Sequence, residues 1–304
     1  MKPVKHITIK KELTINALVK EMSYSGVLGA GTIAKAADIL EKMRKDKDCK
    51  IFMGIAGAMV PGGMKTIIHD ILREKMIDVL VITGANLTHD MVEALGYNHY
   101  QGTHLADDNE LNKKGLNRIY DSYMPNNSYE ALEDFFSKNY DKFKDIKSVR
   151  ELLWKIGELT PNDSILKICF QKKIPVFCPA LGDSGIGLMF WGMLAKGRQL
   201  EARAFEDMKE IIDIAWTSKK TGVFYVCGGT PKNYIQQAMQ FSPEKASYGI
   251  QITMDRPEPG GSSGAELKEG ISWGKMNKNA NFVNVICDAT IALPLIYGAV
   301  KERI

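Results

Sequence analysis

The stretch "DVLVITGANLTHDMVEALG" (78–96) decides the fold class. Its first half is a continuous apolar run with no polar alternation, which marks a strand covered on both faces. A glycine interrupts it, and "THDMVEALG" then places apolar residues at helical spacing. Five further runs share the first character: "KIFMGIA" (50–56), "IPVFCPA" (174–180), "GVFYVCGG" (222–229), "YGIQITM" (248–254) and "NFVNVIC" (281–287). Helical patterns such as "GMKTIIHDILREKM" and "RAFEDMKEIIDIAWTSKK" fall between them. Strands alternating with helices predict an α/β fold with a mostly parallel, doubly wound sheet and helices on both faces.

No linker or shift of composition divides the chain, so residues 1–304 are expected to form a single domain. The polar, lysine-rich segment near 103–148 is expected to be a helical insertion. Within it "MPNNSYEALEDFF" reads as a turn and a capped amphipathic helix. The stretch "GAGTIA" (29–34) fits a dinucleotide fingerprint but lacks a preceding buried strand, and no acid ends the next strand. It is expected to be a glycine-rich turn before the helix "TIAKAADILEKM".

Composition excludes several classes. Apolar residues make up 45%, enough for a large core. The formal net charge is only +4 with scattered lysines, against an extended nucleic-acid surface. No run of 18 apolar residues suggests a membrane span, and "MKPVKHITIKKEL" has no secretory apolar region. Cys49, Cys169, Cys178, Cys227 and Cys287 are odd in number without a CxxC, which predicts reduced thiols and a cytoplasmic protein. Cys227 and Cys287 are expected to be packing residues, as are Phe190 and Trp191. The five histidines show no metal-ligand spacing, so no metal is expected.

Each strand-like run ends in small or polar residues: "GAMVPGG", "TGANLTHD", "PALGDSG", "CGGTPK", "TMDRPEPGGSSG" and "CDAT". In an open parallel sheet, ligands bind beyond the carboxyl ends of the strands. Turn formation alone accounts for any one such loop; six together point to a large site. The stretch "GAELKEGISWGKMNK" (264–278) adds Lys275 behind Trp273 and Gly274. A lysine brought to its neutral form attacks carbonyls and imines. Gly274 permits close approach, Trp273 offers a flat wall for a cation, and Glu266 and Glu269 offer carboxylates. On composition alone a solvated lysine is the better reading.

"GISWGKM" followed by "VICDATIALPL" closely resembles the C-terminal signature of the deoxyhypusine synthase family. "DVLVITGANLTHDMVEALG", "GLNRIYDSYMPNNSY", "KKIPVFCPALGDSGIG" and "CGGTPKNYI" resemble further family blocks in family order, so the likeness spans the chain. The resemblance implies a Rossmann-like fold, a homotetramer and NAD as cofactor. It implies oxidation of spermidine, an aminobutyl imine on a lysine, and transfer to a lysine of translation factor 5A. By position, Lys275 is the imine-forming lysine. Gly57, Ala58, Pro61, Thr83, Gly84, Ala85, Asp183, Gly228, Thr253, Met254, Asp288 and Ala289 are the NAD positions. His89, Asn233, Ser262, Glu269 and Trp273 are the substrate positions.

The chain departs from the eukaryotic pattern where it grips the polyamine. Thr88 and His89 replace glutamates, Leu188 and Ser262 replace aspartates, and Asn233 replaces a histidine. Glu269, Glu266, Asp255, Glu258 and Asp90 remain as candidate anchors for ammonium groups. His89 reads as a candidate acid/base or as a plain helix-start residue, and His99 as structural. Two other functions stay open: a homospermidine-type synthase with a small amine acceptor, and a non-catalytic NAD-binding homologue.

Overall fold

A computed structural model describes residues 1–304. The chain opens with α1 (Ile15–Ser25) and α2 (Leu28–Lys45). Thr14 caps α1 by accepting from Ala17 N–H, and Gly26 ends it in the left-handed conformation. Gly29 and Gly31 lie inside the first turn of α2, so "GAGTIA" is helix and not a turn. The glycine at 31 has a packing reason: a Cβ there would sit 2.5 Å from the Gly26 carbonyl carbon.

There follow β1 (Cys49–Ile55), α3 (Lys65–Arg73), β2 (Val79–Ile82) and α4 (Gly84–Ala94). Next come β3 (Tyr100–Gln101), α5 (Asp108–Lys113), β4 (Leu116–Ile119), β5 (Ser122–Pro125) and α6 (Ser128–Asn139). Then run α7 (Val149–Leu159), α8 (Ile165–Lys172), β6 (Val176–Phe177), α9 (Gly185–Ala195) and α10 (Ala204–Trp216). The chain closes with β7 (Lys220–Val226), α11 (Gly229–Phe241), β8 (Ala246–Thr253), α12 (Glu269–Ser272), β9 (Met276–Ile286) and α13 (Ala289–Lys301).

All six apolar runs are strands of one sheet, ordered β6-β2-β1-β7-β8-β9. The pairs β1–β7, β7–β8 and β8–β9 are parallel, and the fold is α/β with helices on both faces. The strand order reverses between β1 and β7, the switch point of a doubly wound sheet. β2 is buried throughout, and β1 and β7 are buried at all but one residue each. β9 lies at an edge and is buried only in part.

The chain forms two compact units. The first holds residues 1–56, 76–81 and 210–304, and the second 57–75 and 82–209. The segment expected to be a helical insertion carries strands as well: β3, β5 and β4 form a small antiparallel sheet between residues 100 and 125. α6 is the amphipathic helix expected there, with Leu132, Phe135 and Phe136 buried, though no side chain caps its start. Phe190 packs edge-on to Phe136 and Phe143 in this unit. Trp191 does not join the core as expected. It is 66% exposed, on an α9 face that also exposes Leu188 and Leu194.

Candidate active site

Lys275 stands between α12 and β9, and both of its backbone groups are held. Its N–H donates to Gly270 O at 2.8 Å, and its carbonyl accepts from Ala246 N–H at 3.2 Å where β8 begins. Gly274 N–H donates to Ile271 O at 3.1 Å, and Gly274 sits at φ 65°. These two bonds make a Schellman ending, in which the left-handed position favours glycine. The four-residue α12 thus acts as a rigid turn that fixes the Cα of Lys275. Its half-buried side chain carries Nζ to 4.9 Å from the Trp273 ring centroid, within cation–π range.

Lys275 opens onto a hollow of about 380 Å³ in the first unit. Asn233, Ser262, Glu269 and Trp273 line it as well, so four of the five expected substrate positions meet the lysine. Glu266 joins them. His89 does not; it lies in the second unit, on a separate hollow. Two expected anchors are committed elsewhere. Asp90 is fully buried, 3.1 Å from His69 Nε2, and accepts from Ile165 N–H. Glu258 pairs with Arg256.

The same hollow contains a residue that the sequence reading passed over. Lys232, on α11, is 5% exposed. Its Nζ donates to Ser262 O at 2.7 Å and Ala265 O at 2.5 Å, stapling the loop that carries Ser262. Burial pushes Lys232 down to about 8; the Lys275 charge acts the same way and Glu269 opposes it. A lysine at a helix start reads as solvated. The available signal was its stripe: Ile235 and Met239, three and seven residues on, are buried.

The expected cofactor positions fall at strand ends. In the first unit, Gly228, Thr253, Met254, Asp288 and Ala289 follow or end β7, β8 and β9. Gly228 is there for close approach, since a Cβ would lie 2.4 Å from Ser263 Cα. It begins α11 with no side-chain cap, leaving backbone N–H donors free for an anion. Asp288 is exposed and caps α13, its Oδ1 accepting from Thr290 N–H at 2.7 Å.

In the second unit, Gly57, Ala58, Pro61, Thr83, Gly84, Ala85 and Asp183 are joined partly by Asn86, another residue missed from sequence. Asn86 Nδ2 donates to Gly57 O at 2.7 Å and to Thr83 Oγ1 at 2.9 Å, and its Oδ1 accepts from Val60 N–H at 3.2 Å. Gly84 lets α4 and α9 begin against each other, since a Cβ would lie 2.5 Å from Ser184 Cβ. Gly57, Ala58, Ala85 and Asp183 are exposed. Exposed glycines, an exposed carboxylate and uncapped helix starts suit a dinucleotide.

Cys227 and Cys287 lie just past β7 and β9, half-buried, and are not strand core as expected. Burial, then Asp288 and Asp255, push the Cys227 thiol up to about 11, so it is no nucleophile at neutral pH. No group of three or more His, Cys, Asp or Glu side chains is placed to hold a metal ion.

The family model described as "Deoxyhypusine synthase" matches residues 17–300. The chain belongs to the deoxyhypusine synthase family. It is accordingly an enzyme of the transferase class. It is 46% identical to "Probable deoxyhypusine synthase 1" of Methanosarcina mazei, over 99% of this chain and 95% of that one. It is 39% identical to a protein of the same description from Archaeoglobus fulgidus, over 97% and 96%. Among solved structures it resembles the "Crystal Structure of a putative deoxyhypusine synthase from Entamoeba histolytica", with a TM-score of 0.66 at 17% identity, covering 98% and 97% of the two chains. That last likeness carries the fold. Family membership lies in line with the "SWGK" signature and with the hollow it lines.

Proposed function

We propose that the protein moves an aminobutyl group from a spermidine-type polyamine, through an imine on Lys275, to a lysine of translation factor 5A. The observation that carries this reading is the fixed Lys275 backbone, which holds an amine over Trp273 in a hollow bordered by Glu266 and Glu269. The amine lone pair of Lys275 attacks the carbon of a substrate imine; diaminopropane leaves and the imine passes to the lysine. The acceptor lysine repeats the exchange and frees Lys275. Glu269 and Glu266 provide acceptors for the remaining ammonium groups, whose burial without partners would be costly.

NAD supplies an acceptor for the hydride in the first oxidation and returns it in the last reduction. In the first unit Gly228, Thr253, Met254, Asp288 and Ala289 would hold it. Gly57, Ala58, Pro61, Thr83, Gly84, Ala85 and Asp183 would do so in the second. An exposed carboxylate such as Asp288 suits a ribose hydroxyl pair. Homotetramer formation is supported by the apolar Leu188, Trp191 and Leu194 that α9 exposes. A cytoplasmic setting is supported by five unpaired cysteines. No helix is long and apolar enough to cross a membrane.

The test is absorbance of NADH on mixing protein, NAD and a panel of amines, followed by mass analysis with factor 5A or a diamine as acceptor. Absorbance with spermidine and labelling of factor 5A is the expected result. Labelling of the diamine alone would give the homospermidine-type activity. No absorbance with any amine, while NAD binds, would contradict the proposal.

A further inference from the structure

Lys232 brings a second amine into the Lys275 hollow, and no step of the aminobutyl path uses it. Its side chain is fixed at root and tip. At the root, the first turn of α11 packs on β1, where a Cβ at Gly54 would lie 3.5 Å from Lys232 N. At the tip, Ser262 O and Ala265 O accept from Nζ. The loop that carries these carbonyls is itself tied down. Gln251 Nε2 donates to Ser263 O at 2.7 Å, and Leu267 N–H donates to Asn284 Oδ1 at 3.1 Å. A surface lysine swings away from an approaching cation. Lys232, 5% exposed and bonded to a fixed loop, cannot.

The hollow is long and its charges are unevenly placed. Lys232, Asn233, Gln236, Gln237 and Gln240 line it from the first turn of α11 to the last, about 12 Å of helix. Beyond Lys232 this wall carries only neutral carboxamides. The other charged groups on the hollow are Glu266 before α12, Glu269 in α12 and Lys275 after it. Burial holds Lys232 down to about 8, Lys275 acts the same way and Glu269 opposes them, so Lys232 is mainly an ammonium at pH 7. Two carboxylates accept two ammonium groups. A third one near Nζ meets a buried like charge that water screens poorly.

We propose that Lys232 is a charge stop, a specificity-determining residue that sets which amines the hollow accepts and how they lie in it. This rests on the polyamine reading above. The ammonium groups of the donor lie toward Glu266 and Glu269. The stretch beside Lys232 is hydrocarbon or an uncharged nitrogen. A tetraamine is excluded because it must place a further ammonium group against Nζ. Carboxamides suit the rest of the wall, since their oxygens accept from an ammonium less strongly than carboxylates do and let the product leave. Lys232 takes no covalent part.

The first test needs no turnover. Spermidine binding without NAD is followed by calorimetry at pH 8 in two buffers of different ionisation enthalpy, which counts protons released. Incoming ammonium groups should push Lys232 to give up its proton. Lys232→Arg keeps the charge and cannot release it, so it reports the proton balance of the amine and the carboxylates alone. Wild type should release about half a proton more than Lys232→Arg; an equal or smaller release would overturn the proposal. The second test is Lys232→Gln, which keeps an N–H donor for the loop carbonyls and removes the charge. With its fold intact by circular dichroism, it should bind spermidine about 10-fold tighter than wild type at pH 7. The gap should close by pH 9, where wild-type Lys232 is neutral too. Equal or weaker binding at pH 7 would mark a merely structural lysine and overturn the proposal. The third readout is NADH formation with the tetraamine spermine relative to spermidine. The ratio of kcat/KM should rise by at least ~10-fold in Lys232→Gln, and an unchanged ratio would overturn the charge stop. If wild type forms NADH with no amine yet shows the extra proton release, the proposed function fails and the charge stop stands. NADH formation without the extra release sinks the charge stop alone.

Discussion

In the first unit, Lys275 is held by its backbone: Gly270 and Ala246 bond its two ends, and its side chain projects over Trp273. In the second, His89 is held by its ring: His99 and Glu93 bond it in series. A nucleophile that must reach a carbon benefits from a fixed root and a free tip. A base benefits from a fixed tip, because its tautomer decides whether it accepts or donates. The two devices fail under different insults, and that separates them.

The largest effect should follow Lys275→Arg. Guanidinium stays charged and cannot be the nucleophile, so aminobutyl transfer should drop by at least ~10³-fold with the fold intact. Circular dichroism with a product assay checks this. Lys232→Met comes next. It leaves the carbonyls of Ser262 and Ala265 without their buried donor, at a cost of roughly 2–3 kcal/mol. Denaturant unfolding measures the loss, and an unchanged midpoint would reject the stapling role.

Acid should act on the second unit first. His89 has a folded value of about 4, below its ordinary 6.5. Between these values the unfolded chain binds a proton that the folded chain does not. Stability is therefore full above pH 6.5 and falls as pH drops toward 4, by about 3 kcal/mol. Hydrogen exchange in α4 should speed up across that window, and His89→Gln should remove the effect. The smallest change is Gly274→Ala. A Cβ there meets only Lys245 Cε at 3.9 Å, so the cost is backbone strain alone, about 1 kcal/mol. A thermal midpoint lowered by a few degrees is expected.

The six strands were legible because continuous apolar runs have no other stable place than a covered sheet. Lys275 was legible through its motif. Its clamp was not, because it depends on Ala246, 29 residues earlier in the chain. The start of α4 at Gly84 and the helical Gly31 were misread for one reason: glycine marks close approach as readily as it marks a turn. His89 and His99 looked like lone histidines. Their bond forms between the middle of α4 and the loop before β3, which no periodicity records. Trp191 has a core composition and an exposed position, and only the fold distinguishes them.

The account stands on Lys275 as the covalent residue. The direct measurement is peptide mass spectrometry after borohydride reduction of protein mixed with NAD and spermidine. An aminobutyl mass on the peptide containing Lys275, absent without NAD, is the predicted result. An adduct on another lysine such as Lys232, or none while NADH accumulates, would contradict it.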